Sequence, residues 1–298
     1  QRKQITRSEL CPYNDPEKRK QIIGYQDHFL DNFNESSGKA LADTLNTGKP
    51  YPIKVLYVQG GNPAMIWENR QELVKAFCKL DFMVVSDFFI TPTAMLADII
   101  LPAAVYMEYE SVKVDGKDNI YYCPNFVPDA TAKSDLEIIN EMAKAMGYKE
   151  EFWDTMDDFW NTYLEPFGIT IEEVREKKVI ESKEKPKPVV CGKYRENGFP
   201  TKSGKINLYS DKMEEKGNAP LPVYCEYNKV SSQYPYLSTN YKSEYFYHTA
   251  GRQIREQREK EPNPIAFVSS DIAKKRALND GDWILVTTEA GEVRQEVR

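Results

Sequence analysis

Apolar residues gather in three short runs between positions 53 and 101, at 53–58, 82–85 and 99–101, and polar turns separate them. The first run breaks into Gly60-Gly61-Asn62-Pro63, the second stops at Ser86-Asp87, and a Thr91-Pro92-Thr93 start precedes the third. Runs this uniformly apolar read as strands inside a parallel sheet covered on both faces. A helix-like segment lies between the first two, so the order strand, loop, helix, strand predicts a βαβ unit. Ligands of such units sit beyond the carboxyl ends of the strands, where both polar turns fall.

Upstream, residues 1–50 are polar and mixed, with a loop, a short helix and a Gly48-Lys49-Pro50 break. Downstream, Ser134 with Glu137 forms a capping box, because the Ser side chain and the Glu three residues later satisfy each other's free amides. Leu136, Ile139, Met142, Ala143 and Met146 follow at helical spacing, and Gly147 supplies the stop. A second box, Thr170 with Glu173, opens another short helix. The charged, proline-bearing stretch 181–188 reads as a surface linker or exposed arm.

After about residue 233 the texture changes. Short strands are predicted at 236–239 and 265–268, and 283–288 is strongly β-prone. Turn signals at Asp280-Gly281 and Ala290-Gly291 flank it, and 291–297 returns as a hairpin partner. Trp283 reads as a core aromatic of this region. These features suggest a small β-barrel-type second domain. The chain stops inside its last strand, which would leave an open edge, so a piece of a longer protein is expected. The predicted organisation is an α/β domain at 1–150, a helical and extended connection at 151–232, and a truncated barrel domain at 233–298.

Composition narrows the function classes. The 298 residues suffice for about two domains, and 41% hydrophobic with 29% charged residues describe an ordinary globular protein. A net charge of −6 argues against a nucleic-acid partner, which needs a basic face. No apolar run approaches the roughly 20 residues of a bilayer span, and no signal-peptide core opens the chain. The five cysteines, Cys11, Cys78, Cys123, Cys191 and Cys225, form no CxxC pair and read as reduced thiols. With only His28 and His248, a zinc site is poorly supported.

The polar turns are the candidate chemistry. A Gly-Gly-Asn-Pro turn after a buried strand frees backbone amides at a helix start, where the dipole favours phosphate. Gly60 and Gly61 allow close approach because no Cβ blocks a ligand. A plain strand-to-helix turn would look the same. Asp87 ends the neighbouring strand, where an acid takes ribose hydroxyls or base N–H donors, or else caps the segment that follows. Thr91 and Thr93 flank Pro92, so one is an N-cap with Pro at the first helical position. The turn is not GxGxxG, so a nicotinamide site is not indicated. The features in register favour a nucleotide.

Taken together, GGNPAM and VVSDFFITPTAMLADIILPAA resemble the signature of the molybdopterin oxidoreductases of the dimethyl-sulfoxide-reductase type. That signature has a GxNP loop, a strand ending in Asp, T-x-T-A and A-D-I-x-L-P. Residues 199–210, FPTKSGKINLYS, are similar to the family's F-x-T-x-S-G-K-I-E-L-Y-S strand. The tail from Tyr234 onward resembles the molybdopterin-dinucleotide-binding domain. The resemblance covers most of the chain after about residue 50.

It implies a Rossmann-like parallel-sheet domain, a helical connection and a partial six-stranded β-barrel. It also implies two molybdopterin guanine dinucleotides and a molybdenum or tungsten ion. The loop Gly60, Gly61, Asn62 and Pro63 and the acid Asp87 would hold one guanosine, with Thr91 and Thr93 nearby, and Ser86 and Asp98 are further cofactor-binding positions. Thr239, Asn240, His248, Thr249 and Arg252 would line the pterin and phosphate side, and an Arg and a His beside a Thr hydroxyl suit that chemistry. On composition alone, a surface or capping role is the better reading of His248. The metal ligand and the iron–sulfur cysteines of such proteins have no counterpart here and would lie in a missing N-terminal part. The implied reaction is two-electron oxygen-atom or hydride-equivalent transfer on a small molecule, with electrons passing to an iron–sulfur partner subunit. A non-redox acetylene-hydratase-like enzyme and a cofactor-binding scaffold without catalysis are the alternatives. The chain departs from the family where I-P-W-L is replaced by Ile254-Arg255-Glu256-Gln257. It departs again where E-I-H-P is replaced by Phe267-Val268-Ser269-Ser270, and where E-G-T-x-x-N is degraded at 108–113. These departures leave the substrate class open.

Overall fold

The structure is a computed structural model, and it describes residues 21–24, 36–116, 118–182, 190–215, 217–224, 226 and 230–298. The expectations at Cys11, His28 and Cys225, and most of the 181–188 arm, lie outside the described residues. In chain order the first half holds α1 (Gly38–Thr47), β1 (Val55–Gln59), α2 (Pro63–Ile66), α3 (Arg70–Phe77), β2 (Phe82–Asp87), β3 (Ile99–Pro102), β4 (Ser111–Val114), β5 (Ile120–Cys123) and α4 (Asp135–Ala145). There follow α5 (Met156–Leu164), α6 (Ile171–Lys177), β6 (Val179–Ile180), α7 (Lys193–Asn197), α8 (Asp211–Glu215), α9 (Arg255–Lys260), β7 (Ile265–Ala266), α10 (Ser270–Arg276), β8 (Trp283–Thr288) and β9 (Gly291–Val297). The fold is mixed α/β. Contacts divide it into two compact units, one of Ile53–Gly61 with Leu80–Leu208, the other of the described residues up to Pro52 with Asn62–Lys79 and Tyr209–Arg298.

In the first unit the three predicted strands pair in the order β1-β2-β3, parallel throughout, with Val55 opposite Phe82 and Val84 opposite Ile99. The coverage expected on both faces is found only at the central strand. There Met83 is 2% and Val85 0% exposed, against 60% at Val55 and 45% at Ile99. A flanking strand has a neighbour on one side only, so fewer adjacent side chains shelter its faces. β3 is pinned at its start, where the Asp98 amide donates to the Met83 carbonyl at 2.9 Å and the Met83 amide donates to Asp98 Oδ2 at 2.7 Å.

The same unit holds a small core built partly from residues 111–123 and partly from the expected connection at 151–232. β4 and β5 form an antiparallel hairpin, and β5 also pairs with β6, more than fifty residues further on. Against this sheet, α5 and α6 bury Trp160, Leu164, Ile171 and Val174 with Val112 and Ile120. Both predicted capping boxes form. Ser134 Oγ accepts from the Glu137 amide at 3.3 Å and Glu137 Oε2 accepts from the Ser134 amide at 2.8 Å. Thr170 and Glu173 do the same at 3.3 and 3.0 Å, and Thr155 with Asp158 adds a third box at the start of α5.

In the second unit, α1 starts at Ser37, whose Oγ accepts from the Ala40 amide at 3.1 Å, and ends at Gly48. The predicted hairpin is present as β8 and β9, and β7 joins β9 in parallel to give the order β7-β9-β8. Four expectations need correction. Residues 236–239 carry no strand, and the strand expected at 265–268 contracts to β7. The segment 199–210 is a turn rather than a strand, closed by the Phe199 amide on the Gly204 carbonyl at 2.8 Å. Trp283 is 45% exposed, because it sits on the edge strand, and the Arg294 guanidinium stacks over its ring at 5.1 Å. Among the described residues no helix is long and apolar enough to cross a membrane.

Candidate functional site

At the carboxyl ends of β1 and β2, Gly60 turns the chain with φ 57°, and its amide donates to the Ser86 carbonyl at 2.8 Å. The Gly60 amide is thus spent on holding the two strand ends together. The space a Cβ would fill on Gly60 is open. Gly61 closes this unit's part of the turn, and Asn62 and Pro63 begin the other's. Asn62 is buried, its carbonyl accepts from the Met65 and Ile66 amides at 2.9 and 3.1 Å, and Pro63 takes the first helical position. The helix they open, α2, is a single turn, so its dipole offers an anion little.

Ser86 is fully buried and its Oγ makes no hydrogen bond, and neither does the buried Tyr57 Oη. Burial pushes the Tyr57 phenol up; the Ser86 hydroxyl pulls it partly back, so the two groups sense each other without an aligned bond, and the Asp135 carboxylate adds to the rise. Asp87 stands half-buried at the end of β2. Its Oδ1 accepts from the Phe89 amide at 3.1 Å, and its carbonyl accepts from Ala103 at 3.3 Å. The carboxylate therefore caps its own turn through one oxygen. Of the two threonines, Thr91 is the cap: its Oγ1 accepts from the Ala94 amide at 3.2 Å, whereas the fully buried Thr93 makes no capping bond. Asp98 is engaged with the Met83 amide, as described above. The structure thus gathers Gly60, Ser86, Asp87 and Thr91 around one end of a parallel sheet.

In the second unit, residues 247–250 form a tight turn. The Ala250 amide donates to the Tyr247 carbonyl at 2.9 Å, and the Tyr247 amide to the Ala250 carbonyl at 3.3 Å. His248 takes φ 54° at its corner, a conformation unusual for a residue with a Cβ, and its exposed ring meets Tyr247 edge-on at 4.7 Å. Arg252 lays its guanidinium over the buried Phe246 ring at 4.4 Å while remaining exposed. His248, Thr249 and Arg252 thus share one loop. Thr239 and Asn240 lie in a separate exposed stretch without regular structure. Sequence reasoning missed Gln257, whose side-chain amide, oriented by its surroundings, donates to the Tyr245 and Gly251 carbonyls at 3.1 Å each. Its only trace in the sequence was the departure at 254–257. Among the described residues no group of three or more His, Cys, Asp or Glu is placed to hold a metal ion.

Two family models match the chain. The molybdopterin oxidoreductase family model matches residues 16–145, and the molydopterin dinucleotide binding domain matches residues 236–298. The acetylene hydratase of Syntrophotalea acetylenica is 30% identical over 267 residues, covering 86% of this chain and 36% of that protein. The F420-dependent formate dehydrogenase subunit alpha of Methanocaldococcus jannaschii is 28% identical over 289 residues, covering 92% of this chain and 40% of that protein. The solved acetylene hydratase from Pelobacter acetylenicus superposes with TM-score 0.74 at 26% identity, covering 100% of this chain and 43% of that one. The chain belongs to the molybdopterin oxidoreductases of the dimethyl-sulfoxide-reductase type. Its domains indicate a molybdopterin guanine dinucleotide cofactor with molybdenum or tungsten. It spans little more than a third to two-fifths of these relatives' length.

The residues present fit such a cofactor. The open space over Gly60 admits a flat group that a Cβ would obstruct, and Asp87, which follows the Ser86 whose carbonyl holds the Gly60 amide, offers carboxylate oxygens as acceptors for N–H or hydroxyl donors. The exposed Arg252 guanidinium and His248 imidazole, next to the Thr249 hydroxyl, are donors suited to phosphate or pterin carbonyl oxygens.

Proposed function

We propose that this chain is the cofactor-binding C-terminal portion of a molybdenum or tungsten oxidoreductase carrying two molybdopterin guanine dinucleotides. It acts on a small molecule by two-electron oxygen-atom or hydride-equivalent transfer. The single observation that carries the reading is the Gly60–Asp87 cradle at the carboxyl end of a parallel sheet, within the residues that match the molybdopterin oxidoreductase model.

In this reading Asp87 accepts from guanine N–H or ribose hydroxyl groups, with Gly60, Gly61, Asn62, Pro63 and Ser86 shaping the floor. Thr91, Thr93 and Asp98 fix the loop behind it. Thr239, Asn240, His248, Thr249 and Arg252 receive the pterin and phosphates, with the Arg252 guanidinium presented by its stack on Phe246. When bound, the metal centre supplies the two-electron chemistry, and the protein supplies position and electrostatics. The division into an α/β domain at 1–150, a connection at 151–232 and a six-stranded barrel domain at 233–298 belongs to the same proposal. So do an iron–sulfur cluster outside this chain and an electron-transfer partner subunit.

A second reading, a non-redox hydratase, is favoured by the likeness to acetylene hydratase in both sequence and structure. The full-length protein separates the two. Turnover with an artificial electron donor or acceptor is expected for the oxidoreductase. Hydration of an alkyne without electron exchange would overturn it. Absence of molybdenum and tungsten by elemental analysis would overturn both.

A further inference from the structure

The loop that carries His248, Thr249 and Arg252 has few means of holding itself in place. Its backbone turns twice through the left-handed region, at His248 (φ 54°) and Gly251 (φ 88°), and most of its side chains are exposed. Such a segment is expected to sample other conformations unless something outside it fixes the turns. Besides a backbone bond from the Ile254 amide to the Gly251 carbonyl at 3.0 Å, the described structure supplies two side-chain ties from α9 and the residue after it. The Gln257 side-chain amide donates to the carbonyls of Tyr245 and Gly251, one on each side of the 247–250 turn, at 3.1 Å each. Ser243 Oγ donates to Glu261 Oε2 at 3.0 Å and accepts from the Tyr245 amide at 3.1 Å, anchoring the loop's entry.

The fit of Gln257 is specific to a glycine at 251. A Cβ built there would stand 2.2 Å from the end of the Gln257 amide. Gln257 also falls where the chain departs from the family's I-P-W-L pattern. The amide has the right chemistry for the task. Its two N–H groups satisfy two carbonyls that no single hydroxyl or carboxylate could satisfy together at neutral pH.

We propose that Gln257 is a positioning residue. It holds the turn at 245–251 so that His248, Thr249 and Arg252 face the dinucleotide, and Gly251 is kept free of a side chain to admit it. This rests on the cofactor reading above.

The test uses the full chain with GDP as the probe, read by calorimetry and by hydrogen–deuterium exchange. Gln257→Leu keeps the bulk and removes both donors. It is expected to speed exchange of the amides at 247–251 and to weaken GDP binding, each by about tenfold, as loss of two ordinary hydrogen bonds allows. Gln257→Asn, too short to reach both carbonyls, should fall between. Arg252→Met keeps the stem over Phe246 and removes the charge. It should weaken GDP binding while leaving exchange at 247–251 as in the wild type. The proposal is overturned if Gln257→Leu leaves exchange at 247–251 unchanged. It is overturned equally if exchange rises while GDP affinity holds and Arg252→Met lowers it, since the tie would then be structural only. If the wild type does not bind GDP, the cofactor reading fails and takes the positioning role with it, while the exchange data still report whether the tie itself exists.

Discussion

Arg175 grips Glu110 with two nitrogens, Nε at 2.8 Å from one carboxylate oxygen and NH2 at 2.6 Å from the other, across 65 residues of sequence. The same guanidinium meets Asp157 through NH1 at 2.9 Å and NH2 at 2.5 Å, and the Tyr122 hydroxyl donates to Glu110 Oε2 at 2.6 Å. One cation therefore ties the approach to β4, β5, the first turn of α5 and the last turn of α6. The geometry is bidentate on both sides, the form of ion pair that holds direction as well as charge.

Replacing Arg175 by Met keeps the stem and leaves Glu110, with a side chain only 22% exposed, beside an uncompensated Asp157. The partial exposure of the cluster screens the charges, so the expected loss is about 1–3 kcal/mol, below that of a fully buried pair. Urea unfolding of wild type and variant measures it. A midpoint unchanged at neutral pH would show that the clamp contributes nothing net.

Acid should dissolve the same clamp. Burial would raise the Glu110 carboxyl, but the Arg175 and Tyr122 hydrogen bonds outweigh it and hold it below the ordinary glutamate value; Arg175 likewise lowers Asp157. A carboxyl lowered in the folded state contributes stability that is present above its unfolded pKa and lost as pH falls through the folded one. The stability curve should therefore fall from about pH 4.5 downward, near the ordinary glutamate value, and Arg175→Met should flatten that fall. Equal acid slopes in the two proteins would contradict the assignment.

Leu164 is 0% exposed in the core between α5, α6 and the β4–β5 hairpin. Leu164→Ala removes three carbons and leaves a cavity that rigid neighbours fill only in part, a loss of about 2–5 kcal/mol. Denaturant titration reads this directly. A loss below 1 kcal/mol would mean that the core collapses around the gap.

Asp87 separates the roles of its two oxygens. Asp87→Asn preserves an acceptor for the Phe89 amide, whereas Asp87→Ala removes it along with the charge. Under the guanosine assignment, both should weaken dinucleotide retention in the full-length protein, Ala by about 1–3 kcal/mol, the cost of leaving a buried donor unpaired. Only Ala should also loosen the turn. Guanine nucleotide released on denaturation, counted against protein, is the measurement, and wild-type retention in both variants would remove Asp87 from the site.

The features the sequence determined by itself are those written in neighbouring residues. Ser134 finds Glu137 and Thr170 finds Glu173 because the partners lie three positions apart, a separation that a helix turn closes at almost no entropic cost. The strand runs at 53–58, 82–85 and 99–101 and the hairpin at 283–297 were legible for the same reason, and so was the order of the family's motifs. Tertiary structure alone decided the rest. Nothing near Gly60 says that its amide will be spent on the Ser86 carbonyl. Nothing near Glu110 names Arg175 among the forty Lys and Arg side chains available. β6 joins β5 rather than lying in a linker, and Trp283 comes to the surface because β8 is left at an edge. Gln257 reaches the turn that holds His248 because a short helix returns beside it. Each of these pairs competes with many alternatives of similar chemistry, and the winner is set by which surfaces the packed core brings together.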